Sequence, residues 1–229
     1  MGQPEHYSLD LPARCLHLLE ELQPCVCKIF MPGQDEGLGP LVATFALTMA
    51  MPIITLPCER IFKPNKQGFQ YADDRELNDG LAESVKTQMS LSKFSKAPFF
   101  RDQVWSFVQV EKAGLFNLSH GIPDTVAEEL SQEKALNSAT NMQVSQWMSC
   151  LRNALAHGGI AYLDTNGMPT YGQPVRMYVF VSGRYNRDLN PPELTGLNVL
   201  RISHINFVQF LRDWVEWLQQ SGIDLEAAA

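Results

Sequence analysis

Between Val144 and Gly159 the chain carries the pattern that most restricts its fold. Val144, Trp147, Met148, Leu151 and Leu155 recur at the i, i+3, i+4, i+7, i+11 spacing of one buried helical stripe, and Gly158-Gly159 then closes it. Asn141 reads as the N-cap, and glycine reaches the left-handed conformation that ends a helix without a Cβ penalty. The period changes immediately afterwards. Residues 160–163 and 175–181 are short apolar runs flanking Asn166-Gly167, which is the pattern of a β-hairpin.

The rest of the chain reads as helical. Apolar spacing predicts helices over residues 11–22, 38–51, 74–91, 123–139 and 206–220, the last stacking Phe207, Phe210, Leu211, Trp214, Val215 and Leu218 on one side. Pro123 stands at an early helical position with acids after it, as the start of a helix favours. Residues 104–110 fit a strand or a helix equally. The expected fold is therefore all-α, a helical bundle with a small β-hairpin appendage after the helix of residues 144–157. With 229 residues and 45% apolar content the chain can bury one sizeable core, so residues 1–229 are expected to form a single domain, 224–229 reading as an appended tail.

Residues 38–58 hold no charged side chain and raise the question of a membrane. Pro40, Pro52 and Pro57 interrupt them, Thr44, Thr48 and Thr55 recur along them, and no basic flank precedes them, so a buried helix bent or ended near Pro52 is expected rather than a span. Five cysteines, an odd number with no CxxC pair, fit a reduced compartment and offer no zinc site. The start Met1-Gly2-Gln3-Pro4-Glu5-His6 lacks a signal-peptide layout, so a cytoplasmic protein is expected. No phosphate-binding loop, GxSxG or HExxH occurs, and neither a metal nor a cofactor is expected.

The chemistry is concentrated in Arg152, Asn153 and His157. At about 100° per residue, Asn153 lies opposite the apolar stripe, Arg152 on its flank and His157 near it, so the trio points away from the helix's own core. Asn153 and His157, at i and i+4, are expected to hydrogen-bond and fix the imidazole tautomer. Arg152 and His157 are about 140° apart, so they meet on one phosphate only at a distorted helix end or across two subunits. Cys150 shares a face with His157 but reads as a packing thiol.

The run Leu151-Arg152-Asn153-Ala154-Leu155-Ala156-His157-Gly158 resembles the HEPN family, helical domains whose ribonuclease members carry an Arg, usually a polar residue after it, and a His four to six residues on. Residues 49–61, ending in Cys58-Glu59-Arg60-Ile61, look like a segment of one bacterial branch of that family. The resemblance implies a metal-independent endoribonuclease that cleaves single-stranded RNA by 2′-OH attack, in a toxin or host-defence role, at a cleft where two subunits meet. His157 would move protons, Arg152 would hold phosphate oxygens, and Asn153 would orient the imidazole or the phosphate. Some family toxins have a Tyr two residues beyond the His, where a nucleotidyltransferase modifies them; that position is Gly159 here. The rival reading is a non-catalytic module of the same kind that binds nucleotide, RNA or protein. A third is an adaptor that only dimerises.

A net charge of −7 is awkward for an RNA enzyme, but the charge is uneven. Residues 1–145 carry 12 basic and 18 acidic side chains, whereas residues 150–212 carry six Arg and no Lys. An arginine zone of Arg152, Arg176, Arg184, Arg187 and Arg201 is thus expected beside the cut site, with Arg176, Arg184, Tyr185 and Arg187 binding RNA and Tyr185 offering a ring on which a base can stack. The expected partners are RNA, a second copy of the chain and a cognate antitoxin or inhibitor protein.

Overall fold

The computed structural model describes residues 4, 6–30, 41–62, 74–77, 80, 83, 84, 87, 93–169, 174–186 and 188–221. In chain order these residues form α1 (Tyr7–Val26), α2 (Val42–Pro57), β1 (Trp105–Glu111), α3 (Asp124–Leu130), α4 (Glu133–Asn141), α5 (Val144–His157), β2 (Ile160–Leu163), β3 (Met177–Asn186), β4 (Glu193–Ser203) and α6 (His204–Ser221). Short 3-10 turns join several of them.

The all-α expectation is overturned by the sheet. The four strands pair antiparallel in the order β1-β4-β3-β2, giving a mixed fold with helices on both faces. The expected hairpin exists, with Ile160 opposite Phe180 and Leu163 opposite Met177, but it is the outer half of this sheet and not an appendage. The Asn166-Gly167 turn is local and does not itself join the two strands: Asp164 Oδ1 accepts the N–H groups of Asn166 and Met168 at 2.8 and 3.0 Å, Gly167 takes φ +78°, and Leu163 bridges Pro169, while β3 pairs with β2 only from Met177 on.

The sheet was hard to read because both of its faces are covered. Trp105, Phe107, Tyr178, Phe180, Leu200 and Ile202 join the main core with α1, α2, α5 and α6. On the other face, Val110, Leu163, Val179, Val181, Leu197 and Val199 pack against Val126, Ala127 and Leu130 of α3. Strands buried on both sides lose the in-out alternation that marks a half-exposed strand, so Tyr178-Val179-Phe180-Val181 is one apolar run.

The helices depart from expectation in smaller ways. The helix expected over residues 123–139 is split at Ser131-Gln132 into α3 and α4, and α5 is capped by Gln143, Asn141 being the last residue of α4. Of the helix expected over residues 74–91, Asp74–Leu77 is a 3-10 turn and most of the remainder lies outside the described residues. Helix α2 does not end at Pro52. It continues to Pro57 and passes into a π-turn, Cys58–Phe62. Pro57 has no N–H to give the carbonyl four residues back, and that carbonyl, Ile53 O, accepts instead from Trp214 Nε1 of α6 at 3.0 Å. Val42–Phe62 is the one helix among the described residues long and apolar enough to cross a membrane; Ala46, Leu47, Ala50, Ile53, Ile54, Ile61 and Phe62 of it lie in the main core. Helix α6 follows β4 without a loop, Ser203 Oγ accepting the Asn206 N–H at 3.2 Å as its cap.

Candidate active site

The end of α5 is fixed by its own apolar and glycine residues. Leu151, Ala154 and Leu155 are buried in the main core. Gly158 takes φ +69° and ψ +23°, the left-handed conformation that closes the helix. Gly159 then seats the chain against β3: its N–H bonds Ala154 O at 2.8 Å, and its carbonyl accepts the Val181 N–H at 2.7 Å. A β-carbon at Gly159 would stand 2.2 Å from Val181 O, so only glycine fits there.

The polar trio is divided by this packing. Arg152 is largely sheltered, its side chain 19% exposed, with Nε 3.0 Å from Glu59 Oε1 on the π-turn. Beside it, Arg60 Nε and Nη2 donate to Asp74 Oδ1 at 2.8 and 2.5 Å, and its guanidinium lies over the Tyr7 ring. The two segments that carry the family resemblance therefore touch through the Arg152–Glu59 ion pair. Asn153 is half-buried and His157 exposed. Among the described residues neither side chain makes a hydrogen bond, so the expected Asn153–His157 bond is not formed. Cys150 is fully buried; burial pushes its thiol up to about 12 although hydrogen bonds involving Ser182 and Leu200 act the other way, and it packs rather than reacts. Cys58, beside the ion pair, is likewise pushed up to about 12 by burial, with the Arg152 charge opposing.

The expected arginine zone is not one surface. Arg184 Nη2 lies 2.9 Å from Glu111 Oε1 and 3.3 Å from Val110 O, a cross-strand support for β1. Arg201 donates to Ser131 Oγ and to Leu130 O, each at 2.7 Å, tying the C-terminal end of α3 to the sheet. Arg176 is exposed just before β3, eight residues from Arg184 and so about 25 Å along the strand. Tyr185 is exposed near the far end of β3, and Arg187 lies outside the described residues. His204, at the start of α6, has Nδ1 2.7 Å from Tyr178 Oη; burial, followed by the Arg176 charge, moves its pKa down. No cluster of three potential metal ligands occurs among the described residues.

Sequence reasoning missed Glu59 as the partner of Arg152. The signal was present, since Glu59 belongs to the second segment of the resemblance, but 93 positions separate the two residues and only the packing of α2 against α5 joins them. The chain matches none of the known family models, curated proteins or solved structures with which it was compared.

Proposed function

We propose that the C-terminal end of α5 is a metal-independent endoribonuclease site acting on single-stranded RNA in the cytoplasm. The observation that carries this reading is a remainder. The fold accounts for Leu151, Ala154, Leu155, Gly158 and Gly159, yet among the described residues it gives the side chains of Asn153 and the exposed His157 no hydrogen-bond partner. In this reading His157 takes the proton of a ribose 2′-OH as that oxygen attacks phosphorus. The bond from phosphorus to the 5′-oxygen breaks, the leaving oxygen takes a proton from solvent, His157 returns the one it took to solvent, and a 2′,3′-cyclic phosphate remains. Arg152, oriented through Nε by Glu59, turns its remaining donors to the phosphate as charge develops. A second copy of the chain supplies the opposite wall, because Arg152 is sheltered against the π-turn while His157 stands in solvent. The reading rests on this helix end and not on the fold, whose sheet departs from the bundle that the resemblance implied.

A second reading, a module that binds RNA, nucleotide or protein without cutting, is favoured by one observation: Glu59 already meets the Arg152 charge, and Arg184 and Arg201 have partners within the protein. Cleavage of a labelled single-stranded RNA in EDTA separates the two. His157→Ala and Arg152→Ala should each lower the rate about 100-fold or more while remaining folded, and light scattering should find a dimer. RNA binding with no product from the unmodified chain would decide for the second reading, and a strict need for Mg²⁺ would end the first.

A further inference from the structure

A groove of about 640 Å³ runs along the outer edge of β1, at the opposite end of the sheet from the β2–β3 hairpin. One wall is β1 itself, from Phe107 to Glu111. The other is a single stripe of α4, on which Lys134, Ser138 and Asn141 fall at i, i+4 and i+7 with Ala135 and Met142 beside them. The β1 edge is chemically unfinished. Val110 O points inward, since it accepts from Arg184 and lies against Gly196 of β4. Backbone groups on an antiparallel strand alternate in direction, so the N–H and C=O of Phe107 and Gln109 point outward, into the groove. Among the described residues nothing bonds them.

We propose that this groove takes an extended segment of a partner protein as a fifth strand beside β1. Backbone groups repeating at strand spacing match another extended backbone, and a groove of about 640 Å³ closed on its far side by α4 holds one short segment rather than the edge of a second sheet. Five residues, Phe107 to Glu111, span about 16 Å, enough for two pairs of backbone bonds. Phe107, Ala135 and Met142 are the apolar part of an otherwise mostly polar lining, so the guest presents one apolar side chain to them. Glu129 and Lys134 of its lining are exposed and have no ion-pair partner among the described residues, so the guest carries one basic and one acidic side chain. This site is independent of the α5 end, and neither reading of that end requires it.

The test uses the full chain and a phage-displayed library of unconstrained heptapeptides. An enriched sequence is synthesised and its affinity measured for three variants. Gln109→Pro removes the outward N–H and leaves the β4 ladder intact, as a proline on an edge strand does. Ser138→Trp fills the groove from α4, and Gln109→Ala keeps the backbone donor as a control. The expected result is a loss of at least tenfold in Gln109→Pro and Ser138→Trp, little change in Gln109→Ala, and slowed hydrogen exchange at the Phe107 and Gln109 amides in the complex. Circular dichroism confirms that the variants are folded. Failure to enrich any peptide, or enriched peptides that bind all three variants equally, overturns the proposal. Self-association of the chain that Gln109→Pro abolishes overturns it too, by giving the edge to a second copy.

Discussion

Asp74 shows how far a single side chain can act in this protein. It is 2% exposed, accepts from Ser8 N–H at 3.0 Å and Ser8 Oγ at 2.6 Å, and pairs with Arg60, so it ties the start of α1 to the π-turn after α2. Burial alone would disfavour its carboxylate, but the hydrogen bonds from Arg60 and Ser8 outweigh that and hold the carboxyl below its ordinary range. A depressed carboxyl contributes its full stabilisation above the unfolded value, about 3.9, and loses it as pH falls through the lower folded value. Asp74→Asn should therefore cost about 1–3 kcal/mol at pH 7, below the cost of breaking a fully buried pair because Arg60 is partly exposed. The gap to the unmodified chain should shrink once the pH drops below about 4. Urea unfolding at pH 7, 4 and 3 measures this, and a constant gap would mean that Asp74 is not charged in the folded protein. Nothing in the sequence pointed to Asp74, since its partners lie 14 and 66 positions away. Gly158, by contrast, was legible from its neighbours alone, because a helix end is a local event.

At the scale of elements, α5 and α6 were readable because each shows one apolar stripe to the core and a polar face to solvent. β1 was ambiguous, and β4 gave no usable signal because both its faces are covered and Gly196 interrupts it. The candidate site divides in the same way. Its residues were legible as a motif, whereas the Arg152–Glu59 pairing and the dispersal of the arginines depend on tertiary packing. The junction of α5 with β2 separates the two glycines that the motif shows side by side. Alanine at Gly158 meets open space and pays mainly for its left-handed backbone, about 1–2 kcal/mol. Alanine at Gly159 meets the Val181 carbonyl at 2.2 Å, and backbone must move, which should cost more, about 3 kcal/mol or above. Denaturant midpoints of the two variants check the order. Equal losses would show that the strand is not held against the helix end as described.

Taken whole, the molecule hangs on one aromatic core assembled from distant parts of the chain. All four tryptophans, Trp105, Trp147, Trp214 and Trp217, are buried in it, and Arg101–Asp213 and Arg212–Glu20 ion pairs fasten α6 to segments far away in sequence. The sheet is shared by this core and the smaller one under α3, so the layers should unfold together, with tryptophan fluorescence and far-ultraviolet circular dichroism giving coincident curves. Two substitutions probe how the parts are joined. Trp214 Nε1 serves the Ile53 carbonyl, which Pro57 leaves without a helical donor, whereas Trp147 Nε1 has no acceptor among the described residues. Trp→Phe removes similar bulk at either position, but only at 214 does it strand a buried carbonyl, which adds about 1–3 kcal/mol. Trp214→Phe should accordingly be the less stable variant by that margin, with both optical signals shifted equally. Equal stabilities would deny the bond between α2 and α6 its role, and separated transitions would mean that the two cores fold as independent units.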